Sequence, residues 1–230
     1  MVKRPVLVFD VNETLLDLET LTPHFARIFG DGGVMREWFA QLILYSEALT
    51  LAGEYAAFGD LGGAVLQMVG DTRRQRVTAE DVLAVNQAIS SMPCHPEVPG
   101  ALRQLRDAGF RLFTLTNNPA ATATKQLERA GLAEFFDQQF SVDQVHRYKP
   151  APETYRFVEH QLSLSAGNCC MIACHTWDTL GALAAGWDAA LVVRSGNAPL
   201  TVGPQPHIVG EDLCVVAESL LARYGNTAAK

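Results

Sequence analysis

Short runs of apolar residues recur along this chain, and longer amphipathic segments separate them. The first run, Val6 to Phe9, contains no polar residue, which is typical of a strand covered on both faces. Residues 110–115, 170–174 and 189–193 are further candidate strands. Strands that alternate with helices indicate βαβ units, so the sequence predicts an α/β fold with a doubly wound parallel sheet.

The segment after the first strand follows a different pattern, because residues 16–92 contain no convincing strand. A helix is predicted to start at Thr22, where a proline follows at the position that helices tolerate best. Residues 35–51 form a long apolar-rich helical stretch. Thr78 and Asp81 have the spacing of a capping box, which predicts another helix.

These two patterns predict two domains. The α/β core takes residues 1–15 and 93–230, and a helical cap of residues 16–92 is inserted after the first strand. Helices of the core are predicted over residues 99–108, 120–130, 152–162, 179–185 and 212–224.

Polar residues follow the candidate strands where a parallel sheet places its ligands, outside the carboxyl ends of the strands. The polar segments are 10–14, 116–117, 148–150 and 175–178. Asp10 comes directly after four apolar residues and is the candidate nucleophile, since an oriented carboxylate attacks electrophilic carbon or phosphorus. The alternative for an isolated aspartate here is a helix cap or a turn.

The four segments together resemble the motifs of the haloacid dehalogenase superfamily. The shared features are Asp-x-x-x-Thr after the first strand, Thr-Asn after a later one, a Lys-Pro pair and a late loop aspartate. The segments 148–155 and 177–182 are similar to the type II, or L-2-haloacid dehalogenase, branch. The resemblance implies a Rossmann-like core with a cap, and an aspartyl-ester intermediate.

Two positions depart from the phosphatases of this superfamily. Those enzymes carry a second aspartate two residues after the nucleophile, where this chain has Asn12, and an amide is no general acid. They also place a magnesium-binding aspartate where this chain has Cys174, a poor ligand for a hard cation. We therefore expect chemistry at carbon, with neither a metal nor another cofactor.

The resemblance implies roles for five catalytic residues. Lys149 supplies the positive charge beside Asp10, and Thr14 orients the nucleophile. Asp178 helps to activate the water that attacks the ester, and it is also expected as the N-cap of the following helix. His175 stands where many type II members have Asn. It either shares in activating the water or has a structural role.

The substrate-binding predictions also come from the resemblance. Thr116 and Asn117 match the motif that binds the nucleophile or the substrate carboxylate, whereas Asn118 is either a binding or a turn residue. Backbone N–H groups of residues 11–13, including those of Val11 and Asn12, are expected to receive the substrate carboxylate or an oxyanion. Tyr155 either lines the site or only packs.

The cap lacks the arginine that type II members commonly carry in a Trp-Arg pair. Here the pair is Trp38-Phe39, so Phe39 takes the place of the arginine. His175, Trp177, Asn12 and Asn118 are candidate replacements for it. Trp38, Phe39 and Tyr45 are either cap core or part of a substrate box. A further departure is Asn12-Glu13, where Tyr-Gly is common.

Composition narrows the class of protein. The chain has 230 residues, 48% of them hydrophobic and 19% charged, with a net charge of −7. This balance and the absence of Lys/Arg runs argue against nucleic-acid binding. No apolar stretch reaches membrane-spanning length, and the one before Asp10 is too short for a signal peptide, so we expect a cytoplasmic protein. A two-fold dimer through a cap helix is compatible with the sequence.

The sequence therefore predicts a hydrolytic dehalogenase that converts short 2-haloacids to 2-hydroxy acids. One alternative is a magnesium-dependent phosphatase of the same superfamily, for which Glu13 is the only nearby general acid. The other is a binding protein that keeps the fold without catalysis.

Overall fold

The computed structural model describes residues 4–225, and its core is one six-stranded parallel sheet. The strand order is β3-β2-β1-β4-β5-β6, with β1 in the middle. The strands are β1 (Val6–Phe9), β2 (Leu112–Thr116), β3 (Gln138–Ser141), β4 (Cys169–Ala173), β5 (Asp188–Val192) and β6 (Ile208–Gly210). The predicted α/β fold with a parallel sheet is confirmed.

Helices alternate with these strands. They are α5 (Val98–Asp107), α6 (Ala120–Arg129), α7 (Pro152–Leu162), α8 (Thr176–Ala184) and α9 (Leu213–Tyr224). Helix α5 packs against α9, and α8 packs against α7 and against strands β4 and β5. Because β1 pairs with a strand on each side and helices cover the sheet, its four side chains are all buried, and each contributes about 1.5–3 kcal/mol.

Four α-helices stand between β1 and α5. They are α1 (Thr22–Phe29), α2 (Val34–Ala52), α3 (Phe58–Thr72) and α4 (Ala79–Ile89), preceded by a 3₁₀-helix over Leu18–Leu21. The capping box of Thr78 and Asp81 at the start of α4 is confirmed. The division into core and cap stays a prediction, and residues 1–3 and 226–230 of the predicted core lie outside the described residues.

Three features differ from the sequence-based prediction. Strands β3 and β6 are absent from it, because β3 begins with two glutamines and β6 has only three residues. Helix α8 starts at Thr176 with His175 as its N-cap residue, so the prediction of Asp178 as N-cap is wrong. Asp178 lies in the first turn instead, and its carboxylate contacts buried groups of the core.

The sheet places the ends of β1, β2 and β4 side by side. Phe9 is in register with Thr114 on β2 and with Ile172 on β4. The backbone N–H of Asp10 continues this pairing and donates to the carbonyl of Ile172 at 3.0 Å. The polar residues after three separate strands therefore meet at Asp10. Within the described residues, no helix combines the length and the apolar character needed to cross a bilayer.

Candidate active site

Asp10 lies at the end of β1 with its carboxylate held by three side chains. Lys149 donates to Oδ1 at 2.8 Å and Thr14 donates to Oδ2 at 2.7 Å. Nδ1 of His175 lies 3.2 Å from the same Oδ2. Burial favours the neutral acid, but Lys149 and His175 outweigh it and hold the pKa of Asp10 well below its usual range. The carboxylate is therefore ionised and oriented at neutral pH.

Lys149 is fully buried and its ammonium has three acceptors. These are Asp10, Oδ2 of Asp178 at 2.7 Å and the carbonyl of Leu115 at 2.9 Å. Burial lowers the pKa of Lys149, yet the two carboxylates more than offset this and raise it above its ordinary value. The lysine is thus a permanent positive charge between two carboxylates.

Asp178 is also fully buried and is held on its second oxygen by Tyr155, whose hydroxyl donates to Oδ1 at 2.7 Å. Burial raises the pKa of Asp178, and although Lys149 opposes this, the net pKa lies above the ordinary value. A carboxylate made more basic in this way is better suited to accept a proton from water. Of the two alternatives for Tyr155, the one that places it beside the site agrees with this contact.

Thr14 joins the nucleophile to the neighbouring strand. Its hydroxyl donates to Asp10 and accepts from the backbone N–H of Cys174 at 2.9 Å. Its carbonyl accepts from the guanidinium of Arg194 at 2.8 Å. Because both ends of Thr14 are bonded, its hydroxyl keeps Asp10 in one orientation.

His175 is buried and bonded at both ring nitrogens. Nε2 lies 2.7 Å from Oε2 of Glu13, opposite the contact of Nδ1 with Asp10. Burial lowers the pKa of His175, but the neighbouring Cys174 and the two carboxylates raise it well above its usual range. The ring stacks on Trp177, with ring centroids 4.9 Å apart, and the centroid of the Phe39 ring lies 5.5 Å away.

Glu13 is the residue that most distinguishes this site. Its backbone has a φ of 66°, the left-handed region that favours glycine, and only 2% of the residue is exposed. Its carboxylate pairs with Arg36 of α2, accepts from Asn197 at 2.8 Å and contacts His175. The pKa of Glu13 is lowered: burial opposes this, but His175 and Arg36 stabilise the charged form.

A cluster of side-chain amides borders the nucleophile on the other side. Asn118 donates to Gln126 at 2.9 Å and to Oδ1 of Asn12 at 3.3 Å. Asn117 accepts from the backbone N–H of Lys149 at 3.1 Å, but its own NH₂ group is buried without a partner. A buried donor that lacks an acceptor is costly, so this NH₂ is suited to an anionic ligand.

Two adjoining cavities give access to these groups. The one at Asp10 holds about 10 Å³, and its walls include Asn117, His175 and Trp177. The larger one lies between the helices α2–α4 and the core and holds about 280 Å³. Asn12, Phe39 and Phe58 line both cavities. The larger cavity therefore leads a ligand to the nucleophile.

The structure brings most of the predicted site residues together. Asp10, Thr14, Lys149, Asp178, His175 and Tyr155 form one hydrogen-bonded network. The small cavity is lined by Asn12, Phe39, Thr116, Asn117 and Trp177, and the larger one by Asn118.

Three further predicted residues lie outside the small cavity at Asp10. Val11 is buried, and its carbonyl accepts from the backbone N–H groups of Leu15 and Leu16. Trp38 is buried, lines the larger cavity and donates to the carbonyl of Gly62 at 2.9 Å. Tyr45 is 39% exposed and lines neither cavity.

Residues outside the sequence-based prediction also contribute. Arg36, Phe58 and Gln126 are the main ones, together with the pairing of Glu13 with His175. Arg36 lies three residues before Phe39, about one helical turn, so both side chains are on the same face of α2. This spacing is the sequence signal that could have placed Arg36 near the site.

The donor set does not fit the magnesium ion that phosphatases of this fold use. Ligand atoms of Asp10, Cys174 and His175 lie within 4.8 Å of one another. However, burial raises the pKa of the Cys174 thiol, both nitrogens of His175 face carboxylates, and the ammonium of Lys149 already neutralises Asp10. Magnesium prefers oxygen ligands in an octahedron, which these groups do not supply.

The sequence matches known proteins over most of its length. Residues 5–186 match the model of the haloacid dehalogenase-like hydrolases. The chain belongs to this family. It is 30% identical to (S)-2-haloacid dehalogenase 1 of Pseudomonas sp. (strain CBS-3), over 87% of this chain and 89% of that protein.

Two further relatives agree. Haloacetate dehalogenase H-2 of Moraxella sp. (strain B) is 26% identical over 90% of this chain and 93% of its own length. The solved L-2-haloacid dehalogenase of Xanthobacter autotrophicus has the same fold, with a TM-score of 0.87 at 23% identity, covering 96% of this chain and 98% of that one. The predicted resemblance to the type II branch is confirmed, and the chain is a haloacid dehalogenase-like hydrolase.

Proposed function

We propose that this protein hydrolyses short 2-haloalkanoic acids to 2-hydroxy acids through a covalent ester on Asp10, without a metal ion. The observation that carries the proposal is the position of Lys149, whose ammonium lies 2.8 Å from Asp10 and 2.7 Å from Asp178. This cation keeps the nucleophile ionised and supplies the positive charge that a metal supplies in the phosphatases.

In the first step the Asp10 carboxylate attacks C2 of the substrate from the side opposite the halogen. The new C–O bond forms as the carbon–halogen bond breaks, so C2 is inverted and the halide departs with the bonding electrons. A halide is a stable anion and needs no proton. The absence of an acid at position 12, where Asn12 is bonded to Gln126 at 3.2 Å, is therefore no obstacle.

The departing halide and the substrate carboxylate need hydrogen-bond donors. The arginine that commonly serves this role in the family is replaced by Phe39 in this chain. The unpartnered NH₂ of Asn117 and the ring of His175 face the small cavity at Asp10. We assign the substrate anion to the NH₂ of Asn117, beside the positive charge of the His175 ring, with Trp177, Phe39 and Phe58 as apolar walls. A desolvated site strengthens such charge-assisted hydrogen bonds.

In the second step water attacks the carbonyl carbon of the Asp10 ester. We assign Asp178 as the base, because Lys149 and Tyr155 hold it in place and its pKa is raised. The bond between the Asp10 carbonyl carbon and the ester oxygen breaks. The product leaves as a 2-hydroxy acid with the oxygen that came from Asp10.

The phosphatase alternative lacks its two acids. Asn12 and Cys174 stand at the two positions where phosphatases carry aspartates. Glu13 would then have to donate the proton, but its pKa is lowered and its carboxylate pairs with Arg36 and His175.

The cytoplasmic location, the dimer and the division into core and cap stay predictions.

A single turnover in ¹⁸O water, with enzyme in excess over 2-chloropropionate, tests the covalent step. We expect an unlabelled product and one ¹⁸O atom in the peptide that contains Asp10. Label in the product of the first turnover would contradict the ester. The matched control is Asp71→Asn, an exposed aspartate near the end of α3, which should behave as wild type.

The same assay, repeated with a chelator and with a phosphate monoester, separates the alternatives. Halide release that persists in chelator supports the proposal, whereas magnesium-dependent phosphate release would support the phosphatase. If neither halide nor phosphate is released and Asp10→Asn changes nothing, the binding protein is favoured.

A further inference from the structure

The two adjoining cavities of the candidate site differ greatly in volume. The cavity at Asp10 holds about 10 Å³, whereas the larger cavity holds about 280 Å³. An apolar cavity of about 150 Å³ is large enough to bind a benzene ring. Since a short substrate such as 2-chloropropionate carries only a methyl group at C2, the larger cavity has room for a much bigger group at this carbon.

The walls of the larger cavity indicate what kind of group it takes. They include the aromatic rings of Trp38, Phe39 and Phe58, and each of these residues is at most 9% exposed. The indole N–H of Trp38 already donates to the carbonyl of Gly62 at 2.9 Å, so the ring offers a ligand its carbon atoms. Aromatic rings pack favourably against other rings and apolar groups. The cavity therefore suits an aromatic or aliphatic group.

A substrate bound at Asp10 reaches the larger cavity directly, because Asn12, Phe39 and Phe58 line both cavities. Asp60 lines only the larger one and is exposed, so this cavity also opens to solvent. Among the described residues of its wall, Asp60 alone is charged. A substituent that carries a second carboxylate would meet a like charge there, whereas a neutral substituent would not.

We propose that the larger cavity binds the group at C2 of the substrate, and that it takes an apolar group up to the size of phenylmethyl. The proposal rests on the proposed function and extends the substrate class from short 2-haloalkanoic acids to 2-halo-3-arylpropanoic acids. The reacting carbon lies at Asp10 and the substrate carboxylate at Asn117, while the aryl group packs against Trp38, Phe39 and Phe58.

The test compares 2-chloro-3-phenylpropanoate with 2-chloropropionate, two acids that differ by one phenyl group. Burial of such a group should raise kcat/KM by about 10–100-fold. The gain should appear in KM rather than in kcat, because the phenyl group makes the same contacts before and during the reaction. 2-Chloroglutarate is the control substrate, because its second carboxylate should remove the gain.

Ala57→Leu fills part of the larger cavity. Ala57 belongs to its wall and directly precedes α3, so a leucine takes up space that the phenyl group needs. We expect the ratio of kcat/KM for the phenyl acid to that for 2-chloropropionate to fall at least about tenfold. Ala64→Leu is the matched control, the same substitution at an exposed position of α3 that lines neither cavity, and it should keep the wild-type ratio.

A second variant guards against misfolding. In Gly62→Ala the new Cβ would lie 3.5 Å from Trp38 and 3.7 Å from Leu42, which are ordinary contact distances. Alanine is also favoured over glycine within a helix, so this variant should fold. Because the added methyl group narrows the cavity beside the Trp38 ring, the ratio should fall by about fourfold.

Two results would overturn this binding site while the proposed function stands, because 2-chloropropionate still releases halide. One is a wild-type kcat/KM for 2-chloro-3-phenylpropanoate that is no higher than that for 2-chloropropionate or for 2-chloroglutarate. The other is an unchanged ratio in Ala57→Leu and Gly62→Ala.

If the wild-type protein releases halide from no 2-haloacid, the proposed function fails. Binding of 3-phenylpropanoate, which carries no halogen, then tests the cavity separately by calorimetry. Tighter binding than that of propanoate, lost in Ala57→Leu, would support the site, and equal binding would overturn it.

Discussion

The two sides of the Asp10 carboxylate are built differently. Oδ1 faces Lys149, which belongs with Asp178 and Tyr155 to a network without solvent exposure. Oδ2 faces His175, which continues through Glu13 to Arg36, a residue of α2 that is 30% exposed on its side chain. The first network lies wholly within the α/β core. The second joins the core to the helices inserted after β1.

This difference shows where the chemistry is constrained and where the chain has room to change. The closed network carries the motifs by which the chain resembles its family, and each charged group in it has its partners buried beside it. The open network carries the departures Glu13 and His175, and it extends to Arg36. We infer that the closed side fixes the reaction type and the open side adjusts how it proceeds.

The largest effect is expected from breaking the closed side at Lys149. Lys149→Met leaves two buried carboxylates without their cation, which should lower the free energy of unfolding by about 3–5 kcal/mol. The pKa of Asp10 should rise at the same time, so halide release at neutral pH should fall by at least about 10²-fold.

Urea denaturation and a halide assay measure these two effects. The control is Lys125→Met, an exposed lysine on α6, which should change neither. Retention of wild-type stability by Lys149→Met would mean that the buried charges are not as closely coupled as their contacts indicate.

A smaller effect is expected from the far end of the closed side. Tyr155→Phe removes one hydrogen bond to the Asp178 carboxylate at 2.7 Å, which should cost about 1.5–3 kcal/mol of stability. Ester hydrolysis should slow while the rate of halide release in the first turnover stays unchanged, because Asp178 acts only in the second step.

Stopped-flow halide detection separates the two steps. The control is Tyr45→Phe, on the exposed side of α2. Equal slowing of both steps would assign Tyr155 to the nucleophile instead.

The contrast between the two sides also explains how far sequence reasoning reaches. Asp10, Lys149 and Asp178 could be predicted because each follows a recognisable strand or motif, and parallel strands bring their carboxyl ends together. The parallel sheet followed from β1 and β4, whose runs are almost entirely apolar because both faces are covered.

The open side could not be predicted in the same way. The contact of Glu13 with His175 joins residues that are 162 positions apart, and it depends on a left-handed backbone that no pattern of apolar residues encodes. Arg36 lies on a helix whose direction relative to the sheet is set by tertiary packing. Asp178 was expected as a helix N-cap because its residue type favours caps, but its buried bonds to Lys149 and Tyr155 take precedence.

His175, on the open side, should make the free energy of unfolding depend on pH. The pKa of His175 in the folded protein lies well above the ordinary 6.5, so its protonation stabilises the fold fully below pH 6.5, and this contribution is lost as the pH rises through the folded-state pKa. The difference in free energy of unfolding between wild type and His175→Asn should therefore fall by about 1–2 kcal/mol between pH 6.5 and 8. His160→Asn, an exposed histidine on α7, is the control. A difference that stays constant or grows with pH would mean that His175 is neutral in the folded protein.

The smallest effect is expected where the open side meets the inserted helices. Arg36→Met removes the ion pair with Glu13, but Glu13 keeps His175 and Asn197, so the loss of stability should be about 1 kcal/mol. The pair Arg73–Glu37 joins the residue after α3 to α2 and is exposed on both sides, so Arg73→Met should cost less than about 0.5 kcal/mol. Because Arg36 contacts His175 through Glu13 whereas Arg73 pairs with Glu37, we expect Arg36→Met but not Arg73→Met to change the KM for 2-chloropropionate as well. Equal effects of the two variants on stability and on KM would show that Arg36 is an ordinary surface charge, and that the two sides of Asp10 are less different than their contacts suggest.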